Sequence, residues 1–318
     1  MVLTVDAPPA TGARPLPPRR ASVLRRAAPL WLGLPAIIVV IVTQGYPLVT
    51  QIIMSFQEFG LAQQFGQPAE WIGLDNYIRV MTDPVFWGVM VRSVVFGAVV
   101  AGLTMVIGVL AALLMTKLPT VIRVALQVSM LLAWAMPHLS SLTVWQWLFN
   151  TRNGVVNTVL VALGFEQFRG YAWLLDPASF FVIAGAVVIW GSVPLVMFMV
   201  YASVTQVDES IMEAAQLDGA GPFRRFFSVT MPIIAPVLFL VGMLQIIWDL
   251  RVFTQISVLQ DAGGVTSDTN VLGTYIYQIG LGQGDYGQGS AIAMIMLVLT
   301  LVLTAGYVRQ LLKNANQS

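Results

Sequence analysis

The stretch Val207 to Pro232 reads VDESIMEAAQLDGAGPFRRFFSVTMP and lies between two long apolar segments. It carries too many charged side chains to sit in hydrocarbon. Glu, Ala, Gln, Leu and Met are good helix formers, so Glu209 to Leu217 is predicted as a short helix with Asp208 as its N-cap. Gly219 and Gly221 then interrupt it, and Pro222 suits the first turn of a second short helix, where its missing N–H has no intrahelical partner to lose. The expected shape is two short helices joined by a glycine turn. The small side chains of Ala214, Ala215 and Ala220 let another surface come close, which suits docking.

The rest of the chain supplies the apolar surroundings. Of its 318 residues 57% are hydrophobic and 10% are charged, against roughly 25% charged in ordinary soluble domains. This is the composition of a protein that crosses a membrane several times. A net charge of +1 offers no basic face for nucleic acid. The chain has no Cys and one His, which excludes disulfides and a Cys-based metal site and leaves a His-based nucleophilic triad resting on His138 alone.

Read in order, residues 1–28 form a Pro/Ala/Arg-rich tail with little to bury, expected to be disordered. The apolar run from Pro29 to about Met54 would span ~37 Å as a helix, enough for a hydrocarbon core of roughly 30 Å. It is longer than the core of a signal peptide and shows no small-residue cleavage site, so it is read as an uncleaved first span. Five further spans are expected, at about Trp87 to Met115, Arg123 to Phe149, Ala178 to Tyr201, Pro232 to Ile256 and Gly289 to Leu312. The predicted fold is therefore an all-α membrane protein whose six-helix transmembrane domain covers residues 29–318, with Val207 to Pro232 as an aqueous loop. Six spans place both termini on one side. Eleven Lys and Arg residues fall on the face that holds Val207 to Pro232, against Arg79, Arg152 and Arg169 on the other, which puts that loop and both termini in the cytoplasm. Outside, Val155 to Leu163 is too short to cross and is expected to lie on the surface as an interfacial helix.

Charges inside spans are costly and usually functional. Asp249 and Arg251 lie ~26 and ~29 Å along a helix starting at Pro232, in the outer half of the fifth span. Two apart, they point to different faces and do not pair. Asp249 is the better candidate for contact with cargo; Arg251 either reaches the outer interface or meets a carboxylate on another helix. His138, after Pro137 in the third span, is expected to be buried and bonded to a neighbouring helix. No internal repeat is evident, which counts against inverted-repeat secondary transporters.

Within the loop, Glu213-Ala214-Ala215 is followed after three residues by Gly219 and after nine more by Val229-Thr230-Met231-Pro232. This spacing resembles the EAA loop of the membrane subunits of binding-protein-dependent ABC importers, with Val229 and Met231 in place of the usual Ile and Leu. Trp71-Ile72-Gly73-Leu74-Asp75-Asn76-Tyr77 is similar to the outer GLxNY segment of carbohydrate-type permeases, Gly154-Val155-Val156-Asn157 to their GxxN, and the Gly-rich Ser257 to Gln288 to the segment before a Tyr-Ile-Tyr run. There Ala262-Gly263-Gly264 stands for Gly-Gly-Pro.

The resemblance implies a type I ABC importer permease fold in a bacterial cytoplasmic membrane. It implies a coupling segment of Glu213, Ala214, Ala215, Asp218, Gly219 and Ala220 that inserts into an ATPase subunit. Sugar contacts carried over by distance from Glu213 fall on Val188, Gly191, Ser192 and Leu195 of the fourth span and Gln245, Trp248, Asp249 and Val252 of the fifth. Each set recurs at i, i+3, i+4, i+7, one helical face. Gly191 would let cargo approach the backbone, and Pro194 frees a carbonyl. The implied partners are a second homologous permease, two ATP-binding subunits, an extracytoplasmic binding protein, a sugar and the surrounding lipid. ATP and Mg belong to the ATPase subunits, since this chain has no GxxxxGK[ST] loop. The rivals are the same machine importing glycerol phosphate, with Arg251 as ligand, a proton-coupled secondary transporter using Asp249 and His138, and a scaffold without cargo.

Overall fold

The computed structural model describes residues 33–315. The expected disordered tail, the first residues of the first span (29–32) and residues 316–318 lie outside the described residues. The chain divides into two units, Met1–Thr50 and Gln51–Ser318. Within the first, residues 33–50 belong to α1 (Gly33–Ser55), an apolar helix long enough to cross a membrane, with a π-turn at Ile41–Gly45.

In the second unit, two spans begin with the same device. Asp83 caps α3 (Pro84–Lys117), accepting from the Val85 N–H at 2.8 Å, and Asp176 caps α7 (Pro177–Val204), accepting from the Ser179 N–H at 3.0 Å. In both, Pro occupies the first helical position, where no donor is lost. A short helix, α2 (Asp75–Thr82), precedes α3, and α10 (Met231–Leu250) and α13 (Tyr286–Ala315) complete the long apolar helices.

The third expected span departs from a single rod. It is a pair, α4 (Thr120–Ala135) and α5 (His138–Leu148), bent by 100°. Met136 is extended (φ −68°, ψ 130°), as a residue before proline prefers, and Pro137 supplies no N–H to continue the ladder. Five long apolar helices and this bent pair make the six spans. The fifth also ends earlier than expected, at Leu250 rather than Ile256. After a turn, α11 (Thr254–Asp261) follows. The turn is held under Gly273, where a Cβ would stand 2.8 Å from the Val252 carbonyl oxygen. The segment after it contains α12 (Leu272–Tyr277).

α3, α7 and α10 form the centre of the unit, and small residues set their spacing. A Cβ on Gly108 of α3 would lie 2.6 Å from Val196 Cγ1 of α7, and one on Gly97 would lie 3.4 Å from the Leu250 nitrogen of α10. Buried Ala112, Met115, Val196, Val200, Ile234 and Val241 fill one end of this centre, and Phe96, Leu142, Phe180, Ile183 and Ile256 the other.

The outer motifs prove to be staples. Asn76 is fully buried and donates to the carbonyls of Ser55 (3.0 Å) and Gln57 (2.9 Å), while the Tyr77 phenol shares a hydrogen bond with the Ser55 hydroxyl. Asn157 begins the helix expected over 155–163, α6 (Val155–Ala162), and donates to the Tyr171 carbonyl at 3.0 Å while accepting from the Trp173 indole. Arg92 of α3 donates to the backbone carbonyls of Ser267 and Asp268. The Tyr275 phenol donates to Asp83 at 3.1 Å; burial, followed by that bond, pushes it up to about 12, so it remains a donor at neutral pH.

The Gly108 crossing is open to test. Gly108→Ala should force α3 and α7 apart at a cost of about 1–3 kcal/mol, read as a lower unfolding midpoint of the purified protein in detergent. Gly102→Ala, whose new Cβ would meet nothing within 4 Å, should keep the wild-type midpoint.

Candidate functional site

The loop between the fourth and fifth spans folds as its residues dictate. Asp208 caps α8 (Glu209–Leu217), accepting from the Ser210 N–H at 2.9 Å, and this bond holds its carboxyl below the usual carboxylate range. At the other end the Ala220 N–H donates to the Ala215 carbonyl and the Gly219 N–H to the Gln216 carbonyl, each at 3.0 Å, with Gly219 at φ +77°. These are the paired bonds of a Schellman cap, which needs a left-handed residue at the Gly219 position. The spacing from Glu213 to Gly219 thus covers the C-terminal half of the helix and its cap.

α9 (Pro222–Arg225) follows and runs through a π-turn, Phe226–Thr230, into α10. The Arg225 guanidinium donates to Gln216 Oε1 at 3.0 Å and the Thr230 hydroxyl to the Met212 sulfur at 3.7 Å. α8 is thereby tied to the base of the fifth span. Its outward face carries Glu213, Ala214 and Asp218, with Ala215 and Ala220 half-buried behind them. Two apolar side chains that the spacing did not single out stand there as well, Leu217 at 90% exposure and Phe223 at 81%. Their signal was present in the sequence as bulky apolar residues inside an aqueous loop.

The candidate cargo residues divide. Gln245 and Asp249 turn into the chain and are buried at 0% and 2% exposure, whereas Trp248 is 49% exposed. Val252 lies beyond the end of α10 and is buried in one cluster with Val188, Leu142 and Ile256. The single face expected for Gln245, Trp248, Asp249 and Val252 therefore does not form, because the helix stops at Leu250. Both polar atoms of the Gln245 carboxamide, Asp249 Oδ2 and the Thr104 hydroxyl of α3 are buried without a hydrogen-bond partner among the described residues. Each such atom left unpaired costs about 1–3 kcal/mol.

On α7, Val188 is buried and Gly191, Ser192 and Leu195 are half-buried. Val188, Gly191 and Ser192 share a small cavity with His138. His138 differs from expectation. It starts α5 at the break, is exposed, and its imidazole forms no hydrogen bond with any described residue. Arg251 is likewise exposed at the end of α10 and makes no ion pair among the described residues. No group of His, Asp and Glu there is arranged to hold a metal ion.

The family described as binding-protein-dependent transport system inner membrane component matches residues 104–314. The chain is 40% identical to the diacetylchitobiose uptake system permease protein DasB of Streptomyces coelicolor, over 93% of this chain and 90% of that protein. It is 33% identical to the sulfoquinovosyl glycerol transport system permease protein SmoG of Agrobacterium fabrum, over 86% and 87% respectively. A solved bacterial alginate ABC transporter in complex with an alginate pentasaccharide-bound periplasmic protein contains a chain of the same fold, with a TM-score of 0.77 at 22% identity over 91% of this chain and 96% of that one.

Replacing Gly219 tests the cap. Gly219→Ala should strain the left-handed position by about 1–2 kcal/mol. Tryptic cleavage after Arg224 and Arg225 in detergent should then run roughly five- to thirtyfold faster. Gly219→Asn, which tolerates that conformation, should stay close to wild type.

Proposed function

Because the chain belongs to the binding-protein-dependent transport system inner membrane components, we propose that it is the membrane-spanning permease subunit of an ATP-driven importer that carries a sugar or oligosaccharide across the cytoplasmic membrane by alternating access. It performs no catalysis itself; ATP and Mg are bound by partner subunits.

The observation that carries the coupling half of this reading is the capped helix α8, exposed between two spans with Glu213, Ala214 and Leu217 outward. Leu217 and Phe223 offer apolar anchors and Glu213 a charge to a cleft on an ATPase subunit. The excess of Lys and Arg on this face supports a cytoplasmic position for it and for both termini. Six spans with one such loop make half a pathway. A second homologous permease and a second ATPase complete it, and an extracytoplasmic binding protein delivers the cargo.

The cargo half rests on the relative named for diacetylchitobiose and on the buried polar pair of α10. When the spans rock open, Gln245 and Asp249 accept from sugar hydroxyls or acetamido N–H groups, and the Gln245 amide donates to hydroxyl oxygens. Trp248, on the exposed side of the same helix, covers the C–H face of a sugar ring. In this reading a carboxylate, rather than Arg251, meets the cargo, which favours a sugar over glycerol phosphate.

The test is uptake by the assembled importer in vesicles with labelled N,N′-diacetylchitobiose and other disaccharides. Glu213→Ala and Leu217→Asp should each lower uptake at least tenfold while the chain remains inserted; full uptake in both would remove the docking role. Asp249→Leu should abolish uptake of the same sugar, and Arg251→Gln should leave most of it.

A further inference from the structure

We propose that the groove between α3 and α10, on the side of α8, is a binding site for an anionic phospholipid, with one acyl chain lying in the groove and the phosphate held by Lys117 and Arg224. The groove is an open cavity of about 440 Å³, apolar throughout, walled by Val106 and Leu110 of α3 and by Ala235 and Leu238 of α10. Phe226 and Phe227 of the π-turn line the end nearest α8.

Its depth fits one leaflet. From Met231 to Leu238 α10 rises ~10 Å, and the π-turn extends the wall further toward α8. A single acyl chain reaches across about half of a hydrocarbon core of roughly 30 Å. Beyond that depth the two helices meet: a Cβ on Gly242 would stand 3.7 Å from Met105 Cε, and one on Gly97 3.4 Å from the Leu250 nitrogen. A transmembrane helix of another subunit would need a seat through both leaflets, and this groove closes before the second.

The free cations stand where a headgroup would be. Lys117 follows Leu110 by two helical turns, so it lies on the same face of α3 as Val106 and Leu110, ~10 Å nearer the end of the helix. Arg224 immediately precedes Arg225 and the π-turn that begins at Phe226. Lys117 and Arg224 are exposed, and neither forms a hydrogen bond or ion pair with any described residue, whereas Arg225 is committed to Gln216. An ammonium and a guanidinium together match the oxygens of a phosphate. Basic side chains at the mouth of an apolar groove between spans select anionic headgroups over zwitterionic ones. The groove of about 620 Å³ between α3 and α7 lacks that chemistry, because the cation in its wall, Arg92, already donates to the carbonyls of Ser267 and Asp268. A lipid between α3 and α10 packs its chain on the turn that joins α9 to α10.

The test uses the full-length protein, extracted with the subunits that accompany it and reconstituted in phosphatidylcholine vesicles. A trace of phosphatidylglycerol carrying a photoactivatable group near the end of one chain is added, or phosphatidylcholine carrying the same group, and the labelled residues are mapped by mass spectrometry. Phosphatidylglycerol should label residues 105–110 and 231–239 at least roughly fivefold more than phosphatidylcholine, the scale of one basic side chain near an anionic lipid. Lys117→Gln and Arg224→Gln should each lower that labelling roughly fivefold, and Lys117→Arg should keep it. Val106→Phe, at a position 56% exposed and so of little risk to folding, narrows the groove with both cations intact and should also lower it. Equal labelling by the two lipids would overturn the proposal, since the groove would then hold annular lipid only. Absence of labelling there by either lipid would overturn it as well, because another subunit would fill the groove. So would labelling by phosphatidylglycerol that stays at the wild-type level in Lys117→Gln, Arg224→Gln and Val106→Phe alike.

Discussion

Every peptide group inside the hydrocarbon layer must find its hydrogen-bond partner within protein, and the architecture follows from that requirement. Continuous helices meet it without help, which is why α3 and α7 run unbroken for 34 and 28 residues. Interruptions survive only where protein covers them. The bend at Met136 and Pro137 lies against α7, and the turn after Leu250 lies under the close approach of Gly273. These two interruptions are also where polar side chains gather, because a backbone that leaves the helix frees space and direction for His138 and Gln255.

The same constraint explains what the sequence disclosed. Helix existence is local: apolar runs of sufficient length, Asp-Pro at the starts of α3 and α7, and the spacing from Asp208 through Gly219 all encode short-range hydrogen bonds. The coupling loop was legible almost atom for atom because its Schellman bonds span only a few residues. Positions set by distant neighbours were not. Nothing near Val252 announces that Gly273 will pack on its carbonyl, so the fifth span was drawn too long and Val252 was placed on a helical face that ends before it. Pro137 was visible, but the 100° bend depends on how α5 seats against α7. Consequently His138 was expected buried in the third span and bonded to a neighbouring helix, and it stands instead exposed at a break. Asp249 was legible because a charge in an apolar run is conspicuous; the exposure of Trp248 was not, since periodicity cannot say which neighbours a face will meet.

The exposed loop at α8 and the buried polar pair are mechanically one object. Arg225 and Thr230 fasten α8 to the residues that lead into α10, and α10 continues for ~27 Å from Met231 to Asp249. The π-turn at Phe226–Thr230 adds one residue to the turn at the base of this rod, beside Pro232 and Pro236. A displacement of α8 is therefore delivered to Gln245 and Asp249 by a helix, not by a flexible linker. The close approach of Gly97 to the backbone at Asp249 and Leu250 makes α3 the surface on which that rod rests.

Charge then narrows the kind of cargo such a rod can expose. A dianionic group needs cations or a helix N-terminus at its site. Among the described residues, Arg92 is committed to the carbonyls of Ser267 and Asp268, and Arg251 stands exposed beyond the end of the helix. The acid at Asp249 is buried one turn after the Gln245 carboxamide on the same helix, and the Thr104 hydroxyl on α3 is buried without a partner of its own. A phosphate brought to that pair would meet a carboxylate with no compensating cation. A neutral polyol meets acceptors and a donor in the mixture its hydroxyls can use, and it brings no charge of its own to be compensated.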